Sequence, residues 1–252
     1  MNHMIDTNKL KSQITEEEWK LRLDLAATYR LIALYGWDDL IYTHVSLRIP
    51  GPEHHFLINP YGLMFDEITA SSLVKIDLNG KVFGNDDHRI NYAGYVIHSA
   101  VHGARHDVAC VMHTHTTYGM VVSALEEGLV PLQQDTYQFY DRVAYHDFEG
   151  QALNTDERES LVNDLGDKNA MILKNHGLLT TGRSVAEAWV SMFELEKACK
   201  IQILAQSTGQ LIHHPPANVM QKASAARNFR HESIEWPWLL RLLDAKDPSY
   251  KN

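Results

Sequence analysis

Apolar positions along this chain change spacing several times, and the changes mark out its elements. Thr15-Glu16-Glu17-Glu18 has the form of a capping box, after which Leu21, Leu25, Thr28 and Ile32 recur at helical spacing until Gly36 offers a stop. The period then drops to two. Thr43 to Ile49 and His54 to Ile58 alternate around Pro50-Gly51-Pro52 and predict a hairpin or adjacent strands. Asn59-Pro60-Tyr61-Gly62 reads as a turn, Leu73 to Asp77 as a strand, and Asn79-Gly80 as a tight turn into Lys81-Val82-Phe83. Asn91 to His106 returns to helical spacing, Val108 to His115 reads as a buried strand, and a helix is predicted from about Tyr118 to Glu126. Val143-Ala144-Tyr145 and Ala170 to Lys174 are further strands, with a short polar helix over Glu157 to Leu165 between them. Ser184-Val185-Ala186-Glu187 repeats the capping pattern and opens a long helix to about Ser207; Ala217 to Arg230 predicts another. The residues before Thr15 read as a loose arm. The sum is one α/β domain of short strands flanked by helices, over residues 1–252.

Composition narrows the class. Apolar residues at 44% and charged residues at 22% are those of an ordinary water-soluble globule. A net charge of −9 argues against nucleic acid or an anionic membrane as partner, since both call for basic surfaces. The polar start offers no apolar core for a signal peptide, and no apolar run approaches the roughly 20 residues that span a bilayer. Two cysteines, Cys110 and Cys199, suit a reducing cytoplasm better than a disulfide framework. Cys110 stands at odd spacing from His113 and should be a core thiol facing the other way.

The candidate chemistry lies at the end of the strand Cys110-Val111-Met112-His113-Thr114-His115. Alternate residues of a strand share a face, so His113 and His115 point the same way. Two imidazoles on one face are half of a metal site, or two surface histidines beside a loop. His176, at the end of another buried strand and before Gly177, is a third candidate; its alternative is a turn histidine bonded to backbone. Three histidines with an open position are the ligand set of a catalytic zinc site, where the ion acts as a Lewis acid that polarises a carbonyl or stabilises an enediolate.

His113-Thr114-His115, followed about sixty residues later by Leu173-Lys174-Asn175-His176-Gly177-Leu178-Leu179, resembles the class II aldolase/adducin superfamily. That group contains metal-dependent sugar-phosphate aldolases, ribulose-phosphate 4-epimerases and the head domain of adducin. The resemblance covers roughly residues 18 to 210, with a helical tail over 211–252. Thr43-His44-Val45-Ser46 stands where the family often has Gly-Asn-x-Ser, and Asn59-Pro60-Tyr61-Gly62 where it has a Pro-Thr-Gly turn; Tyr145-His146-Asp147-Phe148 looks especially adducin-like. The resemblance implies a three-layer α/β/α domain around a central mixed, mainly antiparallel sheet. It also implies Zn2+ or another divalent ion on His113, His115 and His176, a small-molecule substrate, and a homo-oligomer, commonly a tetramer.

The family pattern breaks at one place. The acid that serves the aldolases as base falls here on Gly94, and the serines before it, which help hold a sugar phosphate, are Tyr92 and Ala93. A divalent ion on three neutral histidines would keep its full charge and favour an anionic ligand such as a carboxylate. His98, one turn after Gly94, is the first candidate for a replacement ligand or proton carrier, or is a packed core histidine. Asp135, Tyr137 and Tyr140 are further acid/base candidates. His44, Ser46, Asn59, Gly62, Tyr92 and Gly94 are candidates for holding substrate. The expected function is metal-dependent aldol cleavage, or a related decarboxylation or epimerisation, of a small unphosphorylated hydroxy-carbonyl or keto-acid compound. The alternative is an adducin-like, metal-stabilised binding or assembly module, although the chain lacks adducin's lysine-rich tail.

Overall fold

A computed structural model describes residues 7–84, 90–150, 157–226 and 234–252. Asp86 and Asp87, the acids nearest upstream of Gly94, lie outside the described residues, as does the stretch expected to carry a helix on to Arg230.

The strands are β1 (His44–Arg48), β2 (Phe56–Ile58), β3 (Val74–Ile76), β4 (Val82–Phe83), β5 (Cys110–Thr114), β6 (Val143–His146), β7 (Ala170–Leu173) and β8 (Gly177–Gly182). They form one sheet in the order β4-β3-β2-β1-β5-β8-β7-β6. Every neighbouring pair runs antiparallel except β6 and β7. The helices are α1 (Thr7–Gln13), α2 (Glu16–Leu34), α3 (Tyr92–Ala104), α4 (Thr117–Ser123), α5 (Glu157–Leu165), α6 (Val185–Ser207), α7 (Ala217–Ala225) and α8 (Glu235–Lys246). The expected three layers around a mixed, mainly antiparallel sheet are present. On one face, Cys110 and Met112 of β5 pack in a core with Leu25 and Ile32 of α2, Trp189 and Leu195 of α6, and Leu243 of α8. On the other, Val111 packs with Ile97 and Val101 of α3 and Leu161 and Leu165 of α5. Each of these buried aliphatic side chains contributes roughly 1.5–3 kcal/mol on leaving water, an upper bound before chain entropy is counted. No helix among the described residues is long and apolar enough to cross a membrane.

The predicted caps hold, with one difference. Thr15 Oγ1 accepts from the Glu18 amide at 3.1 Å, and Ser184 Oγ from the Glu187 amide at 3.3 Å. Glu18, however, does not reach back to Thr15. Its buried carboxylate pairs with Arg22 and with Lys75, both at 2.9 Å, while Arg22 Nη1 donates to the Leu73 carbonyl at 2.8 Å. A charge taken out of water needs partners on all sides, and this one uses them to fix α2 against β3.

Other expectations need correction. The arm before Thr15 contains α1, which buries no residue. Helix α4 stops at Ser123, short of the expected Glu126, and the chain turns at Gly128 with φ of 61°. Within the expected helical tail no correction is needed: Trp236-Pro237-Trp238 lies in α8, where Trp236 is buried and donates Nε1–H to Asp24 at 3.0 Å, while Trp238 is 71% exposed. Strand β8 was not anticipated. Its sequence, Gly-Leu-Leu-Thr-Thr-Gly, is short and glycine-bounded, with β-branched residues only at its end; tertiary pairing with β5 and β7 decides it.

Strands β7 and β8 form a hairpin whose turn holds Asn175 in the left-handed region at φ of 55° and carries His176. Gly177 lets this turn close on β5: a Cβ there would lie 2.6 Å from the Thr114 carbonyl oxygen and 3.2 Å from His115 Cδ2. Backbone cannot yield cheaply at that distance. Gly177→Ala is therefore expected to lower unfolding free energy by about 1–3 kcal/mol, read from urea denaturation; an unchanged midpoint would contradict the packing described.

Candidate metal centre

Pleating decides which side of β5 does chemistry. Val111 and His113 share the α3-facing side, while Cys110 and Met112 enter the opposite core, so the two histidine-bearing ends of β1 and β5 meet: His44 stands directly across from His113. His115 follows just past the strand, and the β7–β8 turn brings in His176. One ligand atom from each of His113, His115 and His176 falls within 4.8 Å of the others. The His176 ring centre is 4.7 Å from that of His113 and 5.0 Å from that of His115.

The hydrogen bonds around the triad fix its protons. His113 Nδ1 lies 2.9 Å from the Leu178 carbonyl oxygen, which can only accept, so the ring carries its proton there. His115 Nδ1 lies 2.8 Å from Asp39 Oδ2, and a carboxylate likewise only accepts. Both Nε2 atoms are then lone pairs, and they face one another at 3.0 Å. Two lone pairs at that distance repel unless a proton or a cation lies between them. A proton on His113 or on His176 is disfavoured: burial, with His176, His115 and His44 close by, holds the His113 imidazole well below its usual range, and burial beside His115 and His146 brings His176 down to about 4. A divalent cation satisfies the same atoms without protonating them. Nitrogens bound tetrahedrally to zinc stand roughly 3.3 Å apart, near the separation seen here. The outward N–H of each ring on a carbonyl and a carboxylate is the arrangement that orients metal-bound histidines. The residues present fit a divalent metal.

Asp39 has no counterpart in the sequence reading. It lies in the loop after α2, outside any periodic segment; its carbonyl accepts from the Tyr42 amide at 2.8 Å, and nearby Leu40 and Thr43 have φ of 51° and 67°. Only the tertiary approach to His115 reveals it.

At Gly94 the structure supplies the reason for the missing acid. A Cβ there would stand 2.5 Å from His44 Cδ2 and 2.7 Å from Cγ. The His44 ring occupies the space a side chain at 94 would need. His44 continues into a buried chain of hydrogen bonds: Nδ1 to His98 Nε2 at 2.7 Å, His98 Nδ1 to Ser46 Oγ at 2.5 Å, and Ser46 Oγ to His102 Nε2 at 2.7 Å. Gly94, His98 and His102 recur every four residues on α3, and His44 and Ser46 every two on β1, so a helix face and a strand face mesh. His102 is absent from the sequence candidates, although the i, i+4 step from His98 is its signal. Both ring nitrogens of His98 are engaged within this chain.

The remaining candidates are placed as follows. Asn59 is buried, with Oδ1 accepting from the Tyr29 hydroxyl at 2.8 Å beneath β1. Gly62, with φ of 105°, and Tyr92 are exposed. Asp135 pairs with Lys197 of α6. Tyr140 lines a cavity of about 740 Å³ with Arg142, Lys168 and Arg183, which none of the three histidines borders. Tyr137 and Tyr140 belong to the turn after α4. No described contact joins that turn to the triad. His146 and Asp147 pair with Asp164 at 2.8 Å and Lys174 at 2.6 Å.

The family model for the class II aldolase and adducin N-terminal domain matches residues 23–203, close to the stretch that carried the resemblance. The chain is 50% identical to an aldolase II superfamily protein from Pseudomonas syringae, whose crystal structure gives a TM-score of 0.93 over 96% of this chain and 99% of that one. It is 31% identical to L-fuculose 1-phosphate aldolase from Glaciozyma antarctica PI12, with a TM-score of 0.82 over 94% and 93% of the two chains. Alpha-adducin of Mus musculus is 44% identical over 186 residues, which are 73% of this chain and 25% of that protein.

Burial also makes the site's surroundings pH-sensitive. His102 is fully enclosed, and burial, with the Arg48 cation nearby, pulls its pKa down to about 3. An unfolded histidine titrates near 6.5, so below that pH the unfolded chain takes up a proton that the folded one refuses. Stability present above pH 6.5 is lost as pH falls toward 3, at about 1.4 kcal/mol per pH unit for this one residue. Denaturant titrations between pH 7 and pH 4 are expected to show His102→Gln losing stability less steeply than the wild type; equal slopes would contradict the assignment.

Proposed function

The chain belongs to the class II aldolase and adducin family, and from that membership we propose that it is a divalent-metal-dependent lyase acting on a small, unphosphorylated hydroxy-carbonyl or keto-acid compound. The observation that carries the reading is the pair of facing ring nitrogens on His113 and His115, with His176 beside them and burial disfavouring a proton on His113 and His176. His113, His115 and His176 would hold the ion, and Leu178 and Asp39 would keep the first two rings turned toward it. When bound, zinc or a similar ion supplies Lewis-acid polarisation of a substrate carbonyl.

The chain's own residues shape what the site accepts. With His44 filling the space at Gly94, no carboxylate neutralises the centre from that side, which favours an anionic or chelating substrate over a neutral one. Tyr92 and Ala93, where the family's phosphate-holding serines would stand, argue against a sugar phosphate. Asp135, Tyr137 and Tyr140 belong to this reading only if a neighbouring subunit carries them to the triad, and a homo-oligomer, of the tetrameric kind the family resemblance implies, is part of the proposal. So is a cytoplasmic setting, where both cysteines stay reduced as buried thiols.

The likeness to alpha-adducin favours a second reading, a metal-stabilised binding or assembly module on the same fold. Metal analysis followed by turnover assays separates the two. Protein purified without chelator is expected to carry about one divalent ion per chain, and His113→Ala close to none; a metal-free wild type would overturn the enzymatic reading. Retro-aldol and decarboxylation assays on hydroxy- and keto-acids then decide between enzyme and module. Asp39→Ala is expected to weaken zinc binding about 10- to 100-fold in a chelator competition while leaving the fold intact, because His115 loses the acceptor that orients it.

A further inference from the structure

The chain His44–His98–Ser46–His102 contains three imidazoles and one hydroxyl, all at most 3% exposed. Each link needs one proton. If Ser46 accepted from both His98 and His102, its buried O–H would be left without an acceptor among the described residues. With every ring neutral and the Ser46 hydroxyl hydrogen kept inside the chain, the links can be ordered in only two ways. In one, His44 Nδ1–H donates to His98, His98 Nδ1–H to Ser46, and Ser46 Oγ–H to His102 Nε2. His102 must then carry its proton on Nδ1. In the other, every donor is reversed: His102 Nε2–H donates to Ser46, Ser46 to His98 Nδ1, and His98 Nε2–H to His44 Nδ1. His44 must then carry its proton on Nε2.

The free end of the chain chooses between them. His102 Nδ1 is buried and has no hydrogen-bond partner among the described residues. A buried N–H without an acceptor is the rarer and costlier defect; a buried lone pair without a donor is better tolerated. The second order is therefore favoured. A doubly protonated His102, which would allow other orders, is opposed by its enclosure and by Arg48, whose guanidinium donates to the His102 carbonyl at 2.5 Å. At the other end, His44 stands opposite His113 in the sheet with ring centres 5.1 Å apart, so the nitrogen left over, Nε2, belongs to the side of the triad.

We propose that His44 is a fixed hydrogen-bond donor of this site, presenting Nε2–H to an anionic oxygen of the substrate, and that His98, Ser46 and His102 are positioning residues that hold it in that tautomer. The inference rests on the small-acid reading given above and narrows it to substrates with a carboxylate beside the reacting carbonyl. It also departs from the aldolase pattern, in which the acid that falls on Gly94 serves as base. The imidazole that fills the place of that acid supplies a donor; proton abstraction belongs to another group. His44 cannot accept at Nε2 unless its bond to His98 and the His98–Ser46 bond both reverse, which leaves an orphan N–H on His102 or an orphan O–H on Ser46.

Nitrogen-15 NMR of histidine-labelled, metal-free protein reads the tautomers directly. The expected pattern is protonation at Nε2 for His44, His98 and His102, in contrast to Nδ1 for His113 and His115. Ser46→Ala should leave His44 in mixed tautomers. Calorimetric titration of the zinc-loaded protein with oxalate tests the donor. His44→Phe keeps a ring against Gly94 but removes the N–H, and is expected to weaken oxalate binding roughly tenfold to a hundredfold. A His44 protonated on Nδ1, or equal oxalate affinity in His44→Phe, would overturn the proposal. Failure of the wild type to take up zinc would sink the metal reading by itself, and the metal-free spectrum decides the His44 tautomer in either case.

Discussion

Two imidazole nitrogens held face to face, 3.0 Å apart with the His113 ring buried so that it resists protonation, are the constraint on which the functional end of this protein depends. Left alone they repel. Everything around them works to keep them there. The Leu178 carbonyl and Asp39 take the outward protons, the β1–β5–β8 register fixes where His113 stands, and Gly177 lets the His176 turn close in. On the proposed reading, the fold holds these mutually repelling groups together for a cation. Such a site would be less stable empty than filled, because a ligand that binds the folded chain alone stabilises it.

The absence of a side chain at Gly94 and the presence of an imidazole at 44 are coupled. The positions lie fifty residues apart in the chain, yet no side chain at 94 and the His44 ring fit together in the described geometry. That coupling explains why the site departs from the aldolase pattern without falling apart: His44 brings with it a buried chain through His98, Ser46 and His102 that supports it. It also shifts the chemistry. On the proposed metal reading, a carboxylate next to the ion would lower the charge of the centre, whereas an imidazole would leave it intact, so recognition would move toward anions.

Much of this was legible in the sequence where periodicity is strong. The helices from Glu16 and Val185, the strand ending at His113, and the hairpins around Pro50-Gly51-Pro52 and Asn79-Gly80 follow from caps, spacing and turn residues. So does the opposite facing of Cys110 and His113. What the sequence hid are features made only by pairing. Strand β8 has little strand propensity of its own, and α4 ends earlier than its apolar pattern. Asp39 sits in a loop with no repeat to mark it, and the exclusion of a side chain at Gly94 by His44 is a contact between two elements. Asp135, Tyr137 and Tyr140 could be proposed from their place in the chain, yet the described protomer joins none of them to the triad.

The central claim is that His113, His115 and His176 together hold one divalent ion. Anomalous diffraction at the zinc edge from crystals grown with zinc tests it most directly. The account predicts a single strong peak per chain enclosed by the three imidazoles, with Asp39 still on His115 Nδ1. No peak there, or a peak elsewhere while the three rings keep their metal-free hydrogen bonds, would contradict it.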